Sequence, residues 1–282
     1  MTRHHRRSSL PRPRKRFGQH FLEPAWVAKI VASLDAAPTD HFIEIGPGRG
    51  ALTRPLAPLV AELVAVEIDR DLAAHLSTTL GGHATDGARE SDTVRVVTAD
   101  ILTVDLASLV AREWLPARVV GNLPYNISAP ILFRLFAAST GGAVLRDATV
   151  MLQQEVADRL LARPGTSEYG VLSVYAALHA RTTRLLTLPP GAFRPPPKVT
   201  STVVRFEFRP PPLEVGTPAV FDALVRGAFA HRRKTLPNAL RFAAEGLSQD
   251  PAILVAAAGL DPRRRPGDLT LADFAALAHA VL

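Results

Sequence analysis

The sequence predicts an α/β chain: a doubly wound, Rossmann-like sheet followed by a small helical unit at the C-terminal end. Three observations predict it. Between Phe42 and about Leu152, short apolar runs alternate with stretches of helical spacing, the order expected of parallel strands joined by helices. A glycine-rich turn follows the first of those runs directly. Beyond Pro210-Pro211-Pro212 the chain turns helical and rich in alanine.

The predicted strands are Phe42–Ile45, Leu63–Val66, Val94–Val97, Val119–Gly121 and Thr149–Leu152, mostly β-branched or aliphatic, as strands buried on both faces should be. Helical candidates between and around them are Ala25–Leu34, entered through Pro24, then Leu72–Leu80 and Ser128–Ala138. For the last of these, Ser128 is read as the N-cap and Pro130 as a first-turn residue. Thr182–Leu188 and Val199–Phe208 read as two further strands separated by Pro189, Pro190 and Pro195–Pro197. Consecutive prolines hold the chain extended, so 210–212 reads as a linker. Helices are expected after it over about Ala219–Ala230, Lys234–Ala244, Pro251–Ala258 and Leu271–Val281. The expected organisation is therefore a basic arm (1–16), a Rossmann-like domain (17–209) and a helical domain (210–282).

The chain has 282 residues, 47% of them hydrophobic, enough for a sizeable core without covalent staples. It has no cysteine, which excludes disulfides, thiolate metal sites, iron–sulfur clusters and a cysteine nucleophile. The nine histidines show no paired ligand spacing, and no metal is expected. No apolar run is long enough to span a bilayer, and no apolar secretory core follows the basic start, so a soluble, cytoplasmic protein is expected.

The net charge of +7 is unevenly spread. Residues 1–16 carry +7 with no acid, 17–180 carry −6, and 181–282 carry +6. A solvated tail would explain the arm alone. Two separate basic regions flanking an acidic body point instead to a polyanion gripped at its edges, with nucleic acid as the partner.

The turn after the first strand reads Glu44-Ile45-Gly46-Pro47-Gly48-Arg49-Gly50. Glu67 ends the second strand, 21 residues after Gly46, where a carboxylate accepts from both hydroxyls of a ribose. Asp100 closes the third strand, placed to accept from an adenine amino group. Turn glycines beside two surface acids would be the bland reading. Ligands in such sheets bind at the carboxyl ends of strands, which favours a nucleoside site. The dinucleotide fingerprint G-x-G-x-x-G is not met, because the third glycine follows the second after one residue. A nucleoside without pyrophosphate, S-adenosylmethionine, is therefore expected rather than NAD.

After the fourth strand comes Gly121-Asn122-Leu123-Pro124-Tyr125-Asn126. An adenine amine is a poor nucleophile, because its lone pair is delocalised into the ring. Two acceptors aimed at the amine hydrogens would localise it. The Asn122 side-chain carbonyl and the Leu123 backbone carbonyl are the candidates, with Pro124 holding the preceding residue extended. Tyr125 offers a face for stacking a base, worth roughly 1–3 kcal/mol.

These segments carry a resemblance to the small-subunit ribosomal RNA adenine N6,N6-dimethyltransferases, relatives of the macrolide-resistance rRNA methyltransferases. Further matching segments are Lys15–Leu22, Met151–Leu160, Tyr169–Val174, Ala192–Val199 and Arg232-Arg233-Lys234-Thr235-Leu236, so the likeness covers about 15–242. It implies dimethylation of two adjacent adenosines in the 3′-terminal hairpin of 16S rRNA during ribosome assembly, with an immature 30S particle as partner; nothing in the sequence demands more than a monomer. It implies cofactor contacts at His20, Leu22, Gly46, Glu67, Asp100, Ile101 and Asn122, and a catalytic loop Asn122-Leu123-Pro124-Tyr125. It implies RNA contacts at Tyr125, at Phe193 as a second aromatic wall for a flipped base, and at Arg232, Arg233 and Lys234. The family usually has Asn where this chain has His20. Two alternatives stand beside this reading: a resistance-type enzyme acting on one adenine of 23S rRNA, and a non-catalytic RNA-binding assembly or transcription factor on the same fold.

Overall fold

Runs of β-branched and aliphatic residues form the strands that the sequence predicts, and side chains alternate between the two faces of the sheet. The computed structural model describes residues 21–80, 93–241 and 249–281. The arm over 1–16, His20 and the polar stretch 81–92 lie outside the described residues.

The chain enters through β1 (Phe21–Leu22) and α1 (Pro24–Leu34), then builds β2 (His41–Ile45), α2 (Thr53–Leu56), β3 (Glu62–Glu67), α3 (Arg70–Leu80) and β4 (Val94–Thr98). It continues with β5 (Ala117–Asn122), α4 (Ser128–Ser139), β6 (Leu145–Gln153), α5 (Gln154–Leu161), α6 (Val171–His179), β7 (Ala180–Leu188), β8 (Phe193–Arg194) and β9 (Ser201–Phe208). Among the described residues, four α-helices follow: α7 (Pro218–Ala230), α8 (Leu236–Leu240), α9 (Pro251–Ala257) and α10 (Leu271–His279).

Seven strands make one sheet in the order β4-β3-β2-β5-β6-β9-β7. The first five are parallel, whereas β9 pairs antiparallel with both β6 and β7. The chain moves outward from β2 to β4, then returns to β5 on the other side of β2. This reversal opens a crevice at the carboxyl ends of β2 and β5.

Phe42, Leu63, Val120, Met151 and Val203 face one layer, covered by Val27, Ile30 and Leu34 of α1 and Leu56 of α2. Ile43, Val64, Val119 and Val150 face the other, covered by Ile131 and Leu135 of α4, Leu160 of α5 and Leu172 of α6. Each such side chain, fully buried, contributes about 1.5–3 kcal/mol.

At the amino ends of the strands, away from the crevice, Arg118 of β5 is buried among acids. Its guanidinium donates to Asp147 Oδ2 at 2.9 Å and to Asp40 Oδ2 at 2.7 Å. It also donates to the carbonyls of Leu34 and Asp35. Burial pushes the Asp40 carboxyl up, but the Ala37 amide and Arg118 outweigh it and hold it below the ordinary range.

Two helices, α5 and α6, have no counterpart among the expected elements. Of the helix expected over Lys234–Ala244, the described residues hold α8 (Leu236–Leu240), and 242–244 lie outside the described residues. Ser128 is not a cap: it is the first residue of α4, Ile127 holds the cap position, and the Ser128 hydroxyl instead donates to the Tyr125 carbonyl at 3.4 Å. A third cluster joins Phe221, Leu224, Leu240, Leu254 and Phe274 of the C-terminal helices to Val174 and Leu178 of α6. The C-terminal helices therefore complete their core with a helix that precedes the proline linker.

Candidate active site

The turn between β2 and α2 is shaped by glycine and pinned from β3. Gly48 has φ +58°, a left-handed conformation that side chains disfavour, with open space where a Cβ would stand. The Gly46 amide donates to the Val66 carbonyl at 2.9 Å. Glu67, at the end of β3, accepts the Gly48 N–H on Oε2 at 3.0 Å and the Asp69 N–H on Oε1 at 2.9 Å. Burial raises its carboxyl above the ordinary range, which those amides only partly offset.

β5 approaches β2 closely at Gly121. A Cβ there would lie 2.7 Å from the Ile45 carbonyl oxygen, so only glycine lets Asn122 arrive beside the turn. The loop is held next by the Leu123 N–H, which donates to the Met151 carbonyl at 3.2 Å. The Leu123 side chain is buried in the core, while Asn122, Pro124 and Tyr125 are half-buried. At the end of β4, Asp100 accepts the Leu102 N–H at 2.9 Å.

These elements enclose one cavity of about 370 Å³. Its walls include Leu22, Gly46, Glu67, Asp100, Ile101 and the whole stretch Asn122–Tyr125. Most residues expected to touch a nucleoside or a target base are thus on one surface. His20 lies outside the described residues.

Two of the expected residues are placed differently. Phe193 is not on the cavity wall: its side chain is fully buried in the cluster of α1 and β7, while its backbone pairs with Leu22. The aromatic wall expected of it is corrected to a core role behind β1. Arg232 does not offer a free guanidinium, because it donates to the carbonyls of Ser167 at 2.5 Å and Thr166 at 2.7 Å. That contact ties the junction of α7 and α8 to the turn before α6. Arg233 and Lys234 beside it are exposed, in the turn between α7 and α8.

Glu44 was given no role by the sequence, although a charged residue within a buried apolar run is a signal in itself. Its side chain lies on the cavity wall and is 2% exposed, and its Oε2 has no hydrogen-bond partner. Burial pushes its carboxyl up to about 7; Thr53 offsets part of this, and the neighbouring Glu67 charge adds to it.

The wall thus holds three acids, Glu44, Glu67 and Asp100, against Arg49. Such a set suits a nucleoside whose far end is cationic and disfavours a pyrophosphate, so the residues fit the ligand expected from the sequence. Among the described residues no cluster of His, Asp or Glu could hold a metal ion, and no helix is long and apolar enough to cross a membrane.

Comparison with known proteins bears on the same surface. The family described as ribosomal RNA adenine dimethylase matches residues 11–254. Ribosomal RNA small subunit methyltransferase A of Acinetobacter baylyi is 44% identical over 271 residues, 95% of this chain and 92% of that protein. Its namesake in Methylococcus capsulatus is 44% identical over 268 residues, 95% and 97%. Among solved structures, a dimethyladenosine transferase from Plasmodium falciparum superposes with a TM-score of 0.70 at 23% identity, covering 92% of this chain and 96% of that one. The 23S rRNA methyltransferase ErmE gives 0.63 at 24% identity, with 93% and 99% covered. The two structures establish a methyltransferase fold, and the match over most of the chain establishes more: the chain belongs to the ribosomal RNA adenine dimethylase family.

Proposed function

We propose that this protein dimethylates the N6 amines of two adjacent adenosines in the 3′-terminal hairpin of 16S rRNA, with S-adenosylmethionine as methyl donor and an immature 30S particle as substrate. One observation carries the reading. The carboxyl ends of β2, β3, β4 and β5 bring Gly46, Glu67, Asp100 and Asn122–Tyr125 around a single cavity.

Glu67 would accept from the ribose hydroxyls of the donor, Asp100 from its adenine amine, and Leu22 and Ile101 would pack against its apolar faces. When bound, the donor supplies a methyl carbon activated by a positive sulfur. The chain's own part is to present the target amine. The Asn122 side-chain carbonyl and the Leu123 backbone carbonyl accept its two hydrogens, which draws the lone pair out of the ring and aims it along the line of displacement. Pro124 keeps Leu123 extended, so that its carbonyl faces the amine. Tyr125 stacks the flipped base. As the nitrogen–carbon bond forms, the carbon–sulfur bond of the donor would break and leave a neutral thioether; the methylated amine sheds a proton to solvent, and the same nitrogen, still bearing one hydrogen, is presented to a second donor.

The unit over 17–209 would carry this chemistry. The helical unit over 210–282 and the arm over 1–16 would hold rRNA phosphates, which position the substrate without reading sequence. A cytoplasmic monomer is the form in which this reading places the enzyme. The test is mass mapping of adenosines in immature 30S particles incubated with the protein and S-adenosylmethionine. Two adjacent dimethyladenosines near the 3′ end of 16S rRNA are expected. Modification of naked 23S rRNA instead, or RNA binding without transfer, would overturn the reading.

A further inference from the structure

Tyr125 is the residue on which a target base would stack, so whatever fixes its ring also fixes the base. Its hydroxyl shares a hydrogen bond of 2.7 Å with the Ser201 hydroxyl, from a residue 76 positions away in sequence. Ser201 is fully buried. It opens β9, where it is the Cα partner of Gln153 on β6 and of Leu188 on β7. The neighbouring Thr200 carbonyl accepts the Gln154 N–H at 3.0 Å. The serine therefore stands on an interior strand with a neighbour on each side. The tyrosine stands in the turn after β5.

We propose that Ser201 is a positioning residue for methyl transfer, tethering the outer end of the Tyr125 ring to β9 so that the stacking face keeps one angle toward the cavity. The inference rests on the methyl-transfer reading above. A phenylalanine at 125 would keep the stacking face but lose the tether. The hydroxyl bond fixes where the outer end of the ring lies before the base arrives, and an error of about 1 Å in placement can cost up to ~100-fold in rate. Ser201 touches neither expected ligand directly, so its effect has to pass through the phenol.

The test uses the full-length protein and the variants Ser201→Ala, Tyr125→Phe and the pair. The chain has three tyrosines, so 13C labelling of tyrosine resolves each ring by NMR. In Ser201→Ala the Tyr125 signals should shift, while those of Tyr169 and Tyr175 stay in place. Single-turnover methylation of immature 30S particles should slow about tenfold, with the calorimetric Kd for S-adenosylmethionine unchanged within about twofold. In the Tyr125→Phe background the serine change should cost nothing further.

Unchanged Tyr125 signals would overturn the tether. So would an equal loss from Ser201→Ala in the presence and absence of the phenol, or a loss that tracks cofactor affinity. An unsubstituted protein that transfers no methyl group would instead overturn the reaction assignment, and the ring signals would still decide whether Ser201 holds Tyr125.

Discussion

Glu67 Oε2 accepts the backbone N–H of Gly48 at 3.0 Å, across 19 residues of sequence. One carboxylate at the end of β3 therefore both shapes the turn after β2 and faces the cavity. Replacing it with glutamine turns an acceptor of two amides into a side chain that also presents donors to them. Glu67→Gln should raise the Kd for S-adenosylmethionine by roughly 10- to 150-fold, the range expected when hydrogen bonds to a charged group are lost. Calorimetric titration measures it, and a Kd within about twofold of the unsubstituted protein would exclude Glu67 as the ribose acceptor.

Glu44 makes a prediction in pH. Its carboxyl lies at about 7 in the folded protein against an ordinary value of 4.5, raised chiefly by burial. A group raised on folding binds more protons when folded, so its contribution is full below the ordinary value and is lost as pH rises toward the folded one. Glu44→Gln removes that dependence. Without ligand, the variant should gain stability over the parent as pH rises through this window, by up to about 3 kcal/mol. Thermal unfolding of both proteins from pH 4.5 to 8.5 checks it; a difference that stays flat with pH would count against the assignment.

Asn122 follows Gly121 at the point where β5 comes closest to β2. Its side-chain carbonyl is the acceptor that no other group at that position replaces. Asn122→Ala should lower single-turnover methylation by roughly 10²–10³-fold, as removal of an oriented polar group at a reacting centre does, while 30S binding stays near normal. Near-parental turnover would place the chemistry in a different loop.

Sequence reading reached the sheet and the cavity because both leave local signals. A β-branched run such as Leu63–Val66 can only be a buried strand between its turn-forming neighbours, and β3 is that run extended by one residue at each end. Acids at strand ends are equally local, which is why Glu67 and Asp100 were legible. What was missed depends on contacts distant in sequence. α5 begins at Gln154, immediately after β6, with no turn residue to mark the change. Phe193 is buried because β8 pairs with β1, a register that nothing near residue 193 encodes. The Ser128 hydroxyl bonds back to Tyr125 rather than forward into its own helix, a choice set by the preceding turn.

The Arg118 cluster tests whether the far end of the sheet is independent of the site. Arg118 is 4% exposed and pairs with Asp40 and Asp147. Arg118→Ala leaves the two buried carboxylates only the half-exposed Arg146 as a cationic partner, a loss of up to about 3–5 kcal/mol. The expected fall in Tm is about 6–20 °C. Because the cluster lies at the opposite end of the strands from the cavity, cofactor Kd measured at low temperature should stay within about twofold. A Tm change under about 2 °C would mean that the ion pairs contribute little.

Arg232, Arg233 and Lys234 are adjacent in sequence yet make opposite predictions. The Arg232 guanidinium is committed to the Thr166 and Ser167 carbonyls, so its loss should act on stability. Arg232→Ala should cost about 1 kcal/mol and a Tm fall of about 2–4 °C, with the salt dependence of RNA binding unchanged. Arg233 and Lys234 are exposed, and each can release a counterion from one phosphate. Replacing both with alanine should leave Tm unchanged and weaken binding to 16S rRNA. It should also shallow the slope of log K against log salt by roughly 1.4–1.8, the value for two phosphate contacts. Filter binding at several salt concentrations, with thermal unfolding of the same samples, separates the two outcomes. If Arg232→Ala flattened the salt slope and left Tm alone, its contact with the turn before α6 would have to give way in the RNA complex, and all three cations would belong to one phosphate-binding edge.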